Sequence, residues 1–103
     1  MKKLIAVALL VASCTVNAGS QTMLGEPDCA DWMRNPVPAY RMWMLGFLSG
    51  LSSMGAPKYG NVLGRLSSTD QVFVWTDKYC REKPLNSLTE AGHDLFIDLV
   101  NKR

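Results

Sequence analysis

The chain is 103 residues long and carries 11 lysines and arginines against 9 aspartates and glutamates, which leaves room for at most one domain. Its positive excess sits entirely at the start. Residues 1–18, MKKLIAVALLVASCTVNA, combine Lys2 and Lys3 with an unbroken apolar run from Leu4 to Ala12 and a small-residue exit, the layout of a secretory signal peptide. The remaining 85 residues hold nine basic and nine acidic groups. A net charge of zero excludes electrostatic capture of nucleic acid, which needs surplus positive charge to displace counterions from phosphates. A remainder this short buries only about 60% of its unfolded surface, so a covalent staple helps it fold.

Val16-Asn17-Ala18 presents small residues at both positions that a general signal peptidase reads, and cleavage is expected after Ala18. Val11-Ala12-Ser13-Cys14 offers an alternative, the lipoprotein pattern, in which Cys14 is acylated and anchors the protein in the envelope. The apolar run is too short to span a bilayer, and no later stretch reaches the ~20 residues that spanning requires. Residues 19–27 then form a flexible lead-in and 28–103 a single domain, expected in the periplasm. Export places Cys29 and Cys80 in an oxidising compartment, where an even count in a small domain reads as a disulfide. Closing a loop of about 50 residues stabilises by about 4 kcal/mol in the chain-entropy picture. A redox cysteine would want a C-x-x-C or a neighbouring base, and Cys29, Cys80 and His93 lack metal-ligand spacing.

Along the chain, Asp28 can cap a helix starting at Cys29, with Asp31 in its first turn and Trp32 and Met33 as apolar contacts. Pro36 and Pro38 stop it. A second helix is predicted from about Ala39 to Met54, with Tyr40, Trp43, Met44, Phe47, Leu48 and Leu51 in one apolar stripe. Gly46 and Gly50 on its flank cost helix stability, so another backbone is expected close by, either within the monomer or in a second chain. Gly55–Arg65, with three glycines and a proline, reads as a loop. Tyr59, Val62 and Leu63 make it either a partner-contact segment or a cover over the core. Ser68 or Thr69 is expected to cap a third helix to about Lys83, burying Val72, Trp75, Tyr79 and Cys80 on one face, with Pro84 as its stop. Ser87-Leu88-Thr89-Glu90 is a complete capping box, followed by Leu88, Ala91, Leu95, Phe96 and Leu99 at helical spacing and a basic end at Lys102 and Arg103. The expected fold is all-α, a small domain of about four helices stapled by one disulfide.

Catalytic chemistry is thinly represented. His93 is the only histidine, on the polar side of the last helix, and reads as a solvated residue or a pH-responsive contact. Asp94 and Asp98 lie one turn apart on an exposed face, and neither a phosphate-binding glycine loop nor G-x-S-x-G occurs. The expectation is a non-enzyme without cofactor or metal. What is conspicuous is apolar richness: three tryptophans, and methionines at 23, 33, 42, 44 and 54. Met42 falls outside the stripe, so the second helix is apolar nearly all round, as befits a helix that is central or that also meets a partner.

A signal peptide, Cys29 with Trp32 three residues on, the Trp43-Met44-Leu45 run, Thr69-Asp70, Tyr79-Cys80-Arg81 and Lys83-Pro84 together resemble the HdeA/HdeB-type small periplasmic proteins over Asp28–Phe96. The resemblance implies an all-α fold, a disulfide between Cys29 and Cys80, and an ATP-independent chaperone that holds unfolding clients in acid. Protonation of Glu26, Asp31, Asp70, Asp77, Glu82, Glu90, Asp94 and Asp98 would then leave the basic groups unbalanced. Repulsion would open a homodimer or loosen the helices, exposing Trp43, Phe47, Leu48 and Leu51. The Gly46-Phe47-Leu48-Ser49-Gly50 segment is also similar to Tai-type immunity proteins, which neutralise amidase toxins of type VI secretion. That likeness implies a rigid fold that plugs a toxin with a loop, Ala56–Leu63, including Tyr59.

Overall fold

The computed structural model describes residues 22–34 and 37–102. The signal segment with its two cleavage alternatives, Cys14, Pro36 and Arg103 lie outside the described residues. Four α-helices follow one another: α1 (Cys29–Arg34), α2 (Pro38–Tyr59), α3 (Asp70–Glu82) and α4 (Leu88–Asn101), with a single 3-10 turn, η1 (Val62–Arg65), between α2 and α3. No strand occurs among the described residues. The domain is all-α and stapled by the Cys29–Cys80 disulfide, with a sulfur–sulfur distance of 2.11 Å.

Local chemistry sets each boundary. The Asp28 carboxylate accepts from the Asp31 N–H at 2.7 Å, and Asp31 in turn accepts from the Asp28 N–H, so the start of α1 is capped from both sides. Pro38 occupies the first turn of α2, where its missing N–H has no intrahelical partner to lose. The capping box of α4 forms as expected: Ser87 Oγ accepts from the Glu90 N–H and Glu90 accepts from the Ser87 N–H, each at 3.2 Å. The expected side-chain cap of α3 does not form. Thr69 has helical backbone angles and makes no capping bond; the Gln71 and Val72 N–H groups donate to the Ser68 and Thr69 carbonyls, and Gln71 Oε1 accepts from the Ser67 N–H.

The expected loop Gly55–Arg65 is largely helical, and this is the main correction to the sequence reading. Helix α2 continues to Tyr59 through Gly55 and Pro57, and Val62–Arg65 form η1. Tertiary packing overrides local propensity here. A Cβ at Gly55 would stand 3.2 Å from the Phe96 ring, so glycine admits α4, and Tyr59 packs edge-on against Phe96 at 6.1 Å. The end of η1 has a second task. Arg65 donates from Nη1 to the Leu99 and Val100 carbonyls, supplying cationic donors to the last turn of α4, where carbonyls lack intrahelical partners.

The core unites Cys29 and Trp32 of α1, Met44 and Leu48 of α2, Val62 of η1, Val72, Tyr79 and Cys80 of α3, and Leu88, Ala91, Leu95, Phe96 and Leu99 of α4. On α3 Thr76 is fully buried, its hydroxyl satisfied by the Val72 carbonyl at 2.7 Å, while Trp75 stays half-buried and stacks on Tyr79 at 5.2 Å. Helix α1 is locked to α3 twice, by the disulfide and by the Trp32 indole N–H donating to Asp77 at 2.6 Å. Backbone bonds from Cys29 to the Asn86 carbonyl and from Leu88 to the Pro27 carbonyl tie the start of α1 to the start of α4.

Candidate functional site

Helix α2 divides into two faces. Met44 and Leu48 point into the core; Trp43, Phe47 and Leu51 stand half-buried at its edge. Trp43 and Phe47 stack at 5.2 Å with planes 13° apart, and Phe47 meets the edge of the exposed His93 at 5.5 Å. Of the side chains expected to meet a partner, Trp43, Phe47 and Leu51 lie at the surface margin and Tyr59 is exposed. Leu48 is 1% exposed and reachable only if the helices part.

The other face of α2 meets solvent. From Met42 to Pro57 the sequence contains no charged residue, and Met42, Gly46, Ser49, Gly50, Ser53, Met54, Ala56 and Pro57 are all exposed within that run. Met42 is 66% and Met54 85% exposed. Even Ser49 offers little to a polar ligand, because its hydroxyl donates to the Leu45 carbonyl at 2.7 Å. Solvent faces of helices ordinarily carry charge, so an uncharged exposed face of about four turns is poorly adapted to water.

Gly46 and Gly50 are not where another backbone of this chain approaches, contrary to the first of the two alternatives for them. A Cβ added to either would meet nothing within 4 Å. The close approach of α2 to α4 occurs at Gly92, where a Cβ would stand 2.6 Å from the Phe47 ring and 3.4 Å from Met44 Sδ. The sequence offers no periodic signal for this, because Gly92 sits among polar neighbours and its constraint comes from a ring 45 positions away.

Upstream, part of the lead-in touches the helices, at Leu24 and Pro27. The Leu24 carbonyl accepts from the Trp43 indole N–H at 3.2 Å, Gly25 turns with φ of +64°, and Pro27 is buried. Met23 and Leu24 thereby join Met42, Trp43, Gly46 and Phe47 around one shallow apolar depression, with the Leu24 side chain 86% exposed. Met23 stands out in the sequence only as one of five methionines and Leu24 not at all, because they belong to no helix; the uncharged run in α2 is the signal that locates their site. A second apolar groove, of about 370 Å³, runs between α2 and the η1–α3 connection, floored by Leu45, Leu48, Leu63 and Val72.

Among titratable groups, Tyr79 is displaced. Burial pushes its hydroxyl above the ordinary value of 10.0, the bond from Asn86 Nδ2 at 2.8 Å opposes this, and the Asp94 charge adds to the rise. Among the described residues no group of three or more His, Cys, Asp or Glu could hold a metal, and no helix is long and apolar enough to cross a membrane. Comparison with protein-family models, curated proteins and solved structures finds no match for this chain, so the reading of function rests on its own residues.

Proposed function

We propose that this protein is a non-catalytic periplasmic binding protein, an acid-stress chaperone of the HdeA/HdeB kind that holds unfolding proteins on the apolar surface of α2. One observation carries this reading: the uncharged, exposed length of α2 from Met42 to Pro57, extended by Met23 and Leu24. Methionine and aromatic side chains give adaptable apolar contact without demanding one partner shape, which suits clients that share no sequence.

Acid supplies the trigger. Three of the carboxylates expected to respond also hold the fold together: Asp31 caps α1, Glu90 completes the α4 capping box, and Asp77 accepts the Trp32 indole that joins α1 to α3. Loss of carboxylate charge across the domain leaves the basic groups to repel one another. The disulfide survives acid and limits the opening. Loosened helices bring Leu48 and Leu51 into reach beside Trp43 and Phe47. The toxin-blocking alternative is less well supported, because the segment that would act as its plug contains the fully buried Val62 and is helical through Tyr59.

The test is light scattering from an aggregating client shifted to about pH 3, where carboxylates are mostly protonated, with and without the oxidised protein and a dye for apolar surface. Suppression of scattering with dye binding is the expected result. A protein that stays closed and leaves the client to aggregate contradicts the reading and turns attention to one tight partner at neutral pH.

A further inference from the structure

We infer that Met42 and Met54 are oxidation sites, whose conversion to sulfoxides by a hydroperoxide makes the outer face of α2 polar. The structure sorts the described methionines by access. Met54 is 85% and Met42 66% exposed, both within the uncharged run; Met33, on α1, is 42% exposed, and Met44 is fully buried. Met23 stands half-buried beside Met42 in the apolar depression. Cys29 and Cys80 give no competing target, since they are joined to each other and have no exposed surface. Among the described residues, oxidisable sulfur that water can reach is thus methionine sulfur, and the two most exposed of these side chains stand on the uncharged face of α2.

The sulfur lone pair attacks one oxygen of the peroxide: an S–O bond forms, the O–O bond breaks, and the departing hydroxide takes the proton of the transferred hydroxyl and leaves as water. Sulfur loses two electrons and the peroxide gains them. A thioether has no proton to shed before it attacks, whereas a thiol must first become a thiolate. The reaction therefore runs in acid as well as at neutral pH. At Met42 the new oxygen stands beside Trp43 and Phe47, so an apolar segment laid on this face would bury an unpaired polar group, at a cost in free energy. The consequence for clients rests on the chaperone reading of the same face. A sulfoxide reductase restores the thioether, releasing the oxygen as water and joining two of its own thiols in a disulfide.

The test is peptide mapping of the purified, disulfide-bonded protein after dilute hydrogen peroxide at neutral pH, with retention on a hydrophobic-interaction column reporting the state of the face. Met54 and Met42 should oxidise first, Met33 more slowly and Met44 last, with circular dichroism unchanged and retention reduced. Met42→Leu and Met54→Leu, combined in one chain, keep the face apolar and should hold retention constant through the same treatment; Met33→Leu should leave the loss as it is in the unaltered protein. Client scattering at about pH 3 should rise with peroxide-treated protein and stay low with the treated double variant. If untreated protein fails to hold clients, the chaperone reading falls, and the peptide map and retention still decide this proposal. Oxidation that spares Met42 and Met54, or that reaches Met44 as fast, overturns it. So does retention that peroxide leaves unchanged or lowers equally in the double variant, and so does treated protein that holds clients as well as untreated.

Discussion

The junction of α1, α3 and α4 is held by a disulfide, an indole–carboxylate bond at 2.6 Å and a reciprocal capping box, whereas the outer face of α2 from Met42 to Pro57 carries no charge and meets little besides Met23 and Leu24. The first region is specified by directional chemistry, a covalent bridge and named donor–acceptor pairs. In the second, glycines stand in open space and large side chains lie exposed. A domain of this size gains stability chiefly from the first; the proposed client-holding role would account for what the second forgoes in solubility and helix propensity.

Perturbing each region in turn sharpens the contrast. The largest effect is expected from Cys80→Ser, or from reduction: a loss of about 4 kcal/mol, read by urea unfolding, enough to leave much of the population unfolded. Ser87→Ala removes the cap of α4 and should lower stability by about 1 kcal/mol in the same assay. Glycine substitutions separate the two regions by sign. Gly92→Ala should destabilise by about 1 kcal/mol, overpacking against Phe47 outweighing helix propensity, and should become stabilising in a Phe47→Ala background. Gly46→Ala and Gly50→Ala should each raise stability by up to about 1 kcal/mol, since nothing lies within 4 Å of the new methyl group.

The smallest effect concerns alkaline pH. Burial raises the Tyr79 hydroxyl in the folded state, so above about pH 10 the unfolded chain gives up this proton before the folded one does. Its contribution is fully present below that pH and is lost as pH rises through the folded-state ionisation. Thermal melts across this range should show stability falling with pH, and Tyr79→Phe should flatten the slope.

Much of this fold is legible in the sequence because its cues are local. The Ser87–Glu90 box, the Asp28 cap, the Leu88–Leu99 periodicity and the paired cysteines each act over a few residues or follow from a count. The errors arise where distant residues decide. Gly55 and Pro57 read as breakers, yet α2 passes through them because Phe96 packs against the glycine. The cap of α4's last turn comes from Arg65, 34 positions upstream of Leu99. The candidate surface was half legible: Trp43 and Phe47 follow from periodicity, while the contribution of Met23 and Leu24 depends on a chain path that no local pattern encodes.

The most direct test of the central claim is to place charge on the outer face of α2 without disturbing the core. Gly46→Lys and Gly50→Lys, combined in one chain, project into open space and should leave the neutral-pH fold intact by circular dichroism. Client scattering at about pH 3 should then rise toward the level without chaperone, because a charged face no longer accepts apolar segments. If the doubly substituted protein suppresses aggregation as well as the unaltered one, the α2 face is not where clients are held.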